Sequence, residues 1–431
     1  MNRIVRSERS SAADDGLPVS PPYIRRVWWL LSVVRIVGCW PYREVRTAEE
    51  TNEHSFSSRR KDDLARQELS WLSYPPYWTL LLVLQFVVLD LYYIYNTGRI
   101  VAAGNFTASE ALVSVPWLGG TVLPCVSAGL SIMKAGEITI FLDHWLSVEK
   151  RFSHLSSHTP RASLPYLVVS FYFSLGFASV AFIGFLHWHM PESSIFIGNL
   201  LPSPWSHFGH VLQYVSLFLA WTGSIVPEAL LCLLSHAFAS FYRGLCVKAR
   251  EIFDKWELHK KQQTQYGRST VHAYENHGIR DSIQHLWDLY EDVETLVDEM
   301  NTLFSPMILL VYSVFMIMTC SLIIPFLKSG DVRDSAYLTI AFSYVVRLPF
   351  LVITEASLQE QHASFRYELC RGHARMSLSG AHLPYLDALL ARLAAKGDVG
   401  VSAWGFFTVR RDTLLTIVSL LVSYIVIMLQ A

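Results

Sequence analysis

The stretch TLLTIVSLLVSYIVIMLQ, residues Thr413–Gln430, contains 18 residues and no charged side chain. An α-helix of this length is about 27 Å long, which is enough to cross a thin hydrocarbon core. The side-chain amide of Gln430 at the end of this helix needs a hydrogen-bonding partner, water or an ion path, because an unsatisfied polar group is costly in lipid. The stretch therefore predicts a membrane-spanning helix with a functional polar group at its end.

The composition extends this prediction to the whole chain. Of its 431 residues, 52% are hydrophobic and 16% are charged, whereas soluble domains carry about 25% charged residues. Seven apolar runs are long enough to be spans one to seven. The seven runs are Tyr77–Asn96, Ala111–Met133, Leu164–Trp188, Val211–Tyr242, Leu303–Leu327, Ala336–Ala356 and Thr413–Gln430. The predicted fold is therefore an all-α membrane protein with seven transmembrane helices.

The distribution of positive charge predicts the orientation of this fold. The segment before span one and the loops after spans two, four and six contain 31 of the 35 lysines and arginines. Because cytosolic loops carry an excess of these residues, we expect a cytosolic N-terminus and an extracellular C-terminus, the reverse of a G-protein-coupled receptor. The sequon Asn105-Phe106-Thr107 falls in a predicted extracellular loop, so Asn105 is a candidate glycosylation site. The net charge of −1 gives no indication of a nucleic-acid partner.

The predicted spans and loops divide the chain into six segments. The first includes an apolar but arginine-containing stretch near 23–40, which predicts a helix lying in the membrane interface. The segments are a cytosolic N-terminal segment (1–75), spans one to four (76–242), a cytosolic helical loop (243–302), spans five and six (303–357), cytosolic helices (358–404) and span seven (405–431). We expect the two helical cytosolic segments to form one compact domain.

An apolar seam runs through the cytosolic loop and into span five. Its residues recur at alternating spacings of four and three, as in a coiled coil. They are Ile279, Ile283, Leu286, Tyr290, Val293, Val297, Met300 and Phe304. The seam has two interpretations: packing between subunits, or packing within one helical bundle.

Span seven carries a second periodic pattern. Thr416, Leu420, Ser423, Ile427 and Gln430 recur at spacings of four and three, so they share one helical face. This face mixes hydroxyl, apolar and amide side chains, whereas the other faces are more uniformly apolar. In a symmetric bundle of helices such a face lines a narrow ion path, with Ile427 forming a hydrophobic ring. The alternative is that the polar groups form hydrogen bonds to the local backbone or to neighbouring helices.

The end of span seven also resembles a known signature. Ser423-Tyr424, five apolar residues and Gln430 are similar to the C-terminal motif of arthropod gustatory receptors, which is Thr-Tyr, five hydrophobic residues and Gln-Phe. Ser423 replaces the threonine and Ala431 replaces the phenylalanine. The stretches 35–42 and 404–411 are similar to the family's segments before its first and last spans. The layout of seven spans with cytosolic helical extensions resembles the same family.

This resemblance implies a function. Gustatory receptors of this type are tastant-gated, non-selective cation channels in the plasma membrane, and they assemble as homo- or heterotetramers. The resemblance implies one central pore lined by span seven of each subunit, including Ala431, and an anchor domain built from the cytosolic helices. The implied partners are a small-molecule tastant, membrane lipids, permeating cations and related subunits. No enzymatic motif or cofactor motif accompanies these features.

The resemblance also places a ligand pocket in the outer halves of spans two, three, four and six. We selected aromatic and polar side chains there as candidates, with ordinary membrane packing as the alternative for each. The candidates are Trp117, Thr121, His187, Gln213, Tyr214, Phe218, Trp221, Tyr337, Ser343 and Tyr344. Aromatic walls with few hydrogen-bonding groups suit small organic ligands. The set therefore favours a less polar tastant over a sugar.

Four ionisable residues within the spans are further candidates, of which Asp90 and Glu355 are expected near span ends. Glu228 follows Pro227 in span four, and Arg347 lies in span six. Glu228 has three interpretations: it pairs with Arg347, it serves the pocket, or it is protonated and hydrogen-bonded. Four histidines around the third loop allow metal binding or proton sensing, but an interfacial role is favoured and no metal site is predicted. The alternative functions are a receptor that signals through G proteins and a secondary transporter.

Overall fold

The computed structural model describes residues 43–46, 65–68, 74–102, 108–153, parts of 167–184, 206–266, 272–329, 335–377 and 384–430. The predicted interfacial helix near 23–40, the sequon at Asn105, His187 and Ala431 lie outside these residues. The elements are β1 (Arg43–Arg46), β2 (Ala65–Glu68), α1 (Tyr74–Ala102), α2 (Ala108–Met133), α3 (Ala135–Ser153), α4 (Ser206–Tyr266), α5 (His272–Ser329), α6 (Ser335–Ser377), α7 (Pro384–Lys396), β3 (Ser402–Ala403), β4 (Phe407–Thr408) and α8 (Arg411–Gln430).

Helices occupy the positions of the predicted spans. Spans one, two, four, five, six and seven lie within α1, α2, α4, α5, α6 and α8, and the described residues between 167 and 184 are helical as well. By length and hydropathy alone, three helices of the described part are sufficient to cross a membrane, within α4, α5 and α6, and the bent pair of α2 and α3 would add a fourth. The sequence did not predict the two short antiparallel pairs, β1 with β2 and β3 with β4.

Three helices are much longer than a membrane is thick. α4, α5 and α6 contain 61, 58 and 43 residues, and even the shortest is about 65 Å long against a hydrocarbon core of about 30 Å. All three therefore continue well beyond any span. α4 and α6 run in parallel and stay in register: Arg250 Nη2 donates to Glu368 Oε1 at 2.6 Å, and the rings of Tyr242 and His362 are 5.2 Å apart.

The apolar seam of α5 packs inside the protomer. Ile283, Leu286, Tyr290 and Val293 are fully buried in the main hydrophobic core, as are the seam residues nearer span five, and Leu289, Leu296 and Leu303 widen the buried stripe. The face is covered by helices of the same chain. Of the two interpretations of the seam, the structure therefore supports packing within one bundle.

α3 is a helix that the sequence analysis did not separate from the loop after span two, which is predicted to be cytosolic. The chain bends by 79° at Lys134, between α2 and α3. α3 then runs antiparallel to α5, since Lys134 Nζ donates to the Thr302 carbonyl at 3.2 Å and Arg151 Nη1 donates to Asp292 Oδ2 at 2.5 Å. The bend turns α3 away from the direction of α2 and places it along the cytosolic part of α5.

α7 packs against α5, with basic side chains of α7 next to acidic side chains of α5. Lys396 Nζ lies 3.0 Å from Glu294 Oε1, and Arg392 Nη2 donates to Glu294 Oε2 at 2.8 Å. Glu294 is buried, so these two cations compensate a carboxylate that would otherwise be costly to bury. After α7, the β3–β4 hairpin crosses over α5 and leads directly into α8.

Candidate functional site

The last helix, α8, packs its apolar side chains on the described part of the protomer with one face. Ile417 and Leu421 are buried in the main hydrophobic core, and Leu414 and Ile425 pack partly against it. At 100° per residue these four side chains lie within about 80° of the helix circumference. The other described side chains of α8 are largely exposed in the protomer.

Five polar side chains of α8 lie on the face opposite to this packing. Asp412, Thr416, Ser419, Ser423 and Gln430 are exposed and fall within a sector about 60° wide, centred about 180° from the packed face. Ser419 belongs to this sector although the predicted stripe did not include it. Five polar groups on one outward face are unexpected for a helix that only has to face lipid.

Two apolar residues of the predicted stripe border the polar sector. Leu420 and Ile427 are 55% and 61% exposed and lie side by side on one edge of it. The whole predicted stripe from Thr416 to Gln430 thus projects away from the protomer. The sector combines polar groups with one apolar edge, as the sequence spacing predicted.

Two hydroxyls of the sector form local hydrogen bonds. Thr416 Oγ1 donates to the Asp412 carbonyl at 3.2 Å, and Ser423 Oγ donates to the Ser419 carbonyl at 2.8 Å. The alternative interpretation, hydrogen bonding to the local backbone, therefore holds for these two hydroxyls as donors. Both hydroxyl oxygens are exposed and can still accept hydrogen bonds, because a hydroxyl both donates and accepts.

A second polar site lies at the middle of spans four and six. Arg347 donates from both Nε and Nη2 to the carboxylate of Glu228, with Nε 3.0 Å from Glu228 Oε2. Each residue is 1% exposed. The first interpretation of Glu228, an ion pair with Arg347, is therefore confirmed. A paired geometry of this kind is how a protein compensates two charges in an apolar interior.

Aromatic rings surround this ion pair. The Arg347 guanidinium carbon lies 4.9 Å from the ring centre of Tyr344, 5.4 Å from that of Phe315 and 5.9 Å from that of Tyr172. Trp221 continues the cluster, with its ring centre 6.3 Å from that of Tyr344. Cation–π attraction adds to the ion pair here because water is excluded. We call these four rings and the ion pair the aromatic cluster.

The structure brings only some of the predicted ligand-binding residues together. Trp221 and Tyr344 contact each other, and Ser343 is buried next to Tyr344 in the chain. Thr121 is buried on α2 and donates a hydrogen bond to Asp90 of α1, outside the cluster. Phe218 is 41% exposed and does not join the cluster.

The remaining candidates are less informative. Tyr214 is half-buried on α4 and packs partly against the main core. The side chains of Trp117, Gln213 and Tyr337 lie outside the described part of their helices, and His187 lies outside the described residues altogether. Among the described residues no group of three His, Cys, Asp or Glu side chains is close enough to hold a metal ion.

Two members of the aromatic cluster were missed by sequence reasoning. Phe315 comes from α5, and Tyr172 comes from the third predicted span, where Phe185 and His187 were the expected candidates. Neither residue differs in its local sequence from ordinary apolar core residues. The signals that pointed to this place were the candidates Trp221 and Tyr344 and the pair of ionisable residues within the spans.

Comparisons with known proteins agree with this architecture. The family model described as 7tm chemosensory receptor matches residues 26–431. The fold is similar to that of the insect olfactory receptor OR5 from Machilis hrabei, with a TM-score of 0.62 and 14% identity, over 95% of this chain and 99% of the other. The complex of that receptor with eugenol matches with a TM-score of 0.61 and 14% identity, over the same shares of the two chains.

These matches confirm the predicted seven-span, all-helical membrane fold. They also agree with the expectation that the chain is not an enzyme. A search of curated protein sequences found no significant match. At 14% identity the structural similarity concerns the fold, and roles of individual residues have to be argued from this chain itself.

Proposed function

We propose, from the premise that this chain belongs to the 7tm chemosensory receptor family, that it is a gustatory receptor acting as a tastant-gated, non-selective cation channel. In this proposal four subunits, identical or related, surround one pore, and each contributes α8 to its wall. The receptor resides in the plasma membrane with its C-terminus outside. The small-molecule tastant binds within each subunit, and lipids surround the assembly.

The observation that carries this proposal is the polar sector of α8. Its five polar side chains face away from the apolar surface by which α8 packs on the described part of its protomer. In hydrocarbon such a face is costly, whereas around a symmetry axis it would border water and permeating cations. Leu420 and Ile427 at the edge of the sector are the residues that could close the path by excluding water.

The aromatic cluster is the candidate for ligand binding in this proposal. Its rings come from four different helical segments, so a ligand that changed their spacing would shift those helices against each other. Its single carboxylate is already paired with Arg347. Few hydrogen-bonding groups are therefore left for a sugar, which supports a less polar tastant. The similar fold of OR5 in complex with eugenol supports a small organic ligand for this architecture.

The gustatory assignment rests on the C-terminal signature from Ser423 to Gln430, and taste is therefore proposed here rather than smell. Signalling through G proteins and secondary transport, the alternatives considered from the sequence, are each less compatible with the chemosensory receptor family and with the orientation that the charge distribution predicts. Agonist-evoked currents in cells with blocked G proteins distinguish a channel from both.

Two adjacent cysteine variants test the pore directly. In whole-cell recordings during a screen of sugars, bitter compounds and small amphiphiles, we expect an evoked cation current. A charged, membrane-impermeant methanethiosulfonate should block this current in Ser423→Cys, which lies in the polar sector. The matched control is Val422→Cys, which has the same depth and is 55% exposed, but lies on the apolar flank. We expect no block in the control.

A second variant addresses ion selectivity. Gln430→Ala should change the reversal potential under mixed-cation conditions while leaving surface expression unchanged, because the amide is exposed at the end of the sector. Equal block of both cysteine variants, or unchanged permeability in Gln430→Ala, would contradict α8 as the pore wall. The absence of any evoked current from the chain co-expressed with related subunits would contradict the channel itself.

A further inference from the structure

The connection between α7 and α8, residues 397–410, is attached to α5 by side-chain hydrogen bonds. Asn301 Nδ2 donates to the Gly400 carbonyl at 2.9 Å, and the Ser402 amide donates back to Asn301 Oδ1 at 2.9 Å. Ser305 Oγ donates to the Ser402 carbonyl at 2.5 Å and accepts from the Trp404 amide at 2.8 Å. α5 therefore determines where this connection, and with it the start of α8, is held.

One more α5 residue contacts the same connection. Tyr312 lies seven residues after Ser305, on the same face of the helix. Its ring packs edge-on against Phe407 of β4, with ring centres 5.7 Å apart and an interplanar angle of 81°. Its hydroxyl donates to Glu355 Oε2 of α6 at 2.8 Å. Tyr312 thus touches both α6 and the hairpin that precedes α8.

The hydrogen bond between Tyr312 and Glu355 is buried. Both side chains are almost fully inaccessible to water, and Glu355 Oε1 has no hydrogen-bond partner among the described residues. Tyr312 is consequently the partner that satisfies this carboxyl in the described part of the chain. A carboxyl that depends on one donor in an apolar interior strongly constrains where that donor lies.

α6 connects this contact to the aromatic cluster. Glu355 lies eight residues after Arg347 on the same helix, about 12 Å further along its axis. Pro349 lies between them inside the helix, where a proline removes one backbone hydrogen bond and permits bending. Beyond Glu355, Glu360 Oε2 accepts from Nη2 of Arg411, the first residue of α8, at 2.8 Å.

We infer that Tyr312 is a positioning residue for gating, which transmits the position of α6 to the β3–β4 hairpin and thereby to α8. This inference rests on the proposed function. A shift of α6 at the aromatic cluster moves Glu355. Because Tyr312 is hydrogen-bonded to Glu355, Tyr312 moves as well and displaces Phe407. When the hydroxyl is removed, this hydrogen-bonded link between α6 and the hairpin is lost, and α8 changes position more freely.

Thiol labelling measures this release without any ligand or current. In a Ser423→Cys, Cys370→Ser background, the rate of labelling by an impermeant charged methanethiosulfonate reports how often α8 exposes position 423. Tyr312→Phe keeps the ring and removes one hydrogen bond to a carboxyl, so we expect labelling about tenfold faster. Glu355→Met should give the same acceleration, and the double variant should add nothing further because both changes remove the same bond.

The matched control is Tyr290→Phe. Tyr290 is also fully buried in α5 and its hydroxyl donates to a glutamate, Glu294, at 3.1 Å. That bond lies within one helix and cannot report movement between helices, so the labelling rate should not change. Phe407→Leu tests the other side of Tyr312 and should accelerate labelling, which keeps the test decisive if Tyr312→Phe does not reach the cell surface.

Two results would overturn the inference. One is a labelling rate in Tyr312→Phe, or in Phe407→Leu if the former is not expressed, equal to that of the parent. The other is an equal acceleration in Tyr290→Phe, which would indicate general loosening. Failure of the proposed function has a different signature, since it appears as missing evoked current in the wild-type chain whatever the labelling rates are.

Discussion

Breaking the buried ion pair of Glu228 and Arg347 should destabilise the receptor, and the two halves of the pair should not be equivalent. In Glu228→Gln the guanidinium remains charged, because arginine does not lose its proton in proteins. It stays 1% exposed with no carboxylate opposite. Removing one partner of a buried pair costs roughly 3–5 kcal/mol. The three rings within 6 Å of the guanidinium recover part of this cost through cation–π attraction.

The opposite change, which removes Arg347 and keeps Glu228, should destabilise the protein less. Arg347→Met leaves a carboxyl, which can be neutralised by a proton, so an unpaired buried charge need not persist. The double variant Glu228→Leu, Arg347→Met leaves no charge at all and replaces the pair by apolar side chains of similar volume, an exchange that is often nearly neutral. We therefore expect the stability order wild type, double variant, Arg347→Met and Glu228→Gln, from most to least stable.

The assay is the melting temperature of detergent-solubilised protein, read from the surviving monodisperse fraction on size-exclusion chromatography. The matched control is Glu257→Gln, which affects the exposed pair with Lys261 and should leave the melting temperature unchanged because water screens exposed pairs. A Glu228→Gln variant as stable as wild type would refute the reasoning. A double variant less stable than Glu228→Gln would also refute the reasoning, because that result would mean that the pair does more than neutralise buried charge.

Two further predictions concern the contact between α4 and α6 in the predicted cytosolic part. Gly372→Ala places a Cβ 2.1 Å from the ring of Phe253, so it should lower the free energy of unfolding by about 1–3 kcal/mol. The control Gly136→Ala on α3 has open space around it and should not lower it. Equal melting temperatures of the two variants would contradict the close approach of Gly372 to Phe253. Burial next to Tyr242 lowers the pKa of His362 to about 4. As the pH falls, His362 therefore takes up a proton in the unfolded chain before it does so in the folded chain. The free energy of unfolding should fall below about pH 6.5, by about 2 kcal/mol at pH 5. His362→Leu should reduce the loss of melting temperature between pH 7 and pH 5, and an unchanged loss would contradict the assignment.

Much of the fold followed from local sequence patterns. The apolar runs predicted each described span, and the spacing of Thr416, Ser423 and Gln430 predicted one common face of α8, which the structure places opposite its packed face. The bend at Lys134 and the short strands were not predicted. Nothing in their composition differs from loop sequence, and they depend on the helices they pack against, α3 for β2 and α5 for β3.

The candidate ligand site was predicted only in part. Trp221 and Tyr344 were selected because aromatic residues stand out in a span, and they do meet. Phe218 was selected for the same reason and lies exposed, since its position on the helix turns it away from the cluster. Phe315 and Tyr172 were missed because an aromatic residue at a site looks the same in sequence as one in the core.

By itself, the sequence determined that this chain is a helical membrane protein, where its spans lie and which face of its last helix is polar. These properties depend on length, hydropathy and a period of 3.6 residues, all of which are local. Only the tertiary structure decided that Glu228 meets Arg347 across 119 residues, that the α5 seam packs within one protomer and that Tyr312 links α6 to the hairpin before α8. Contacts between helices depend on the packing of whole helix surfaces, which cannot be predicted from any short stretch of sequence.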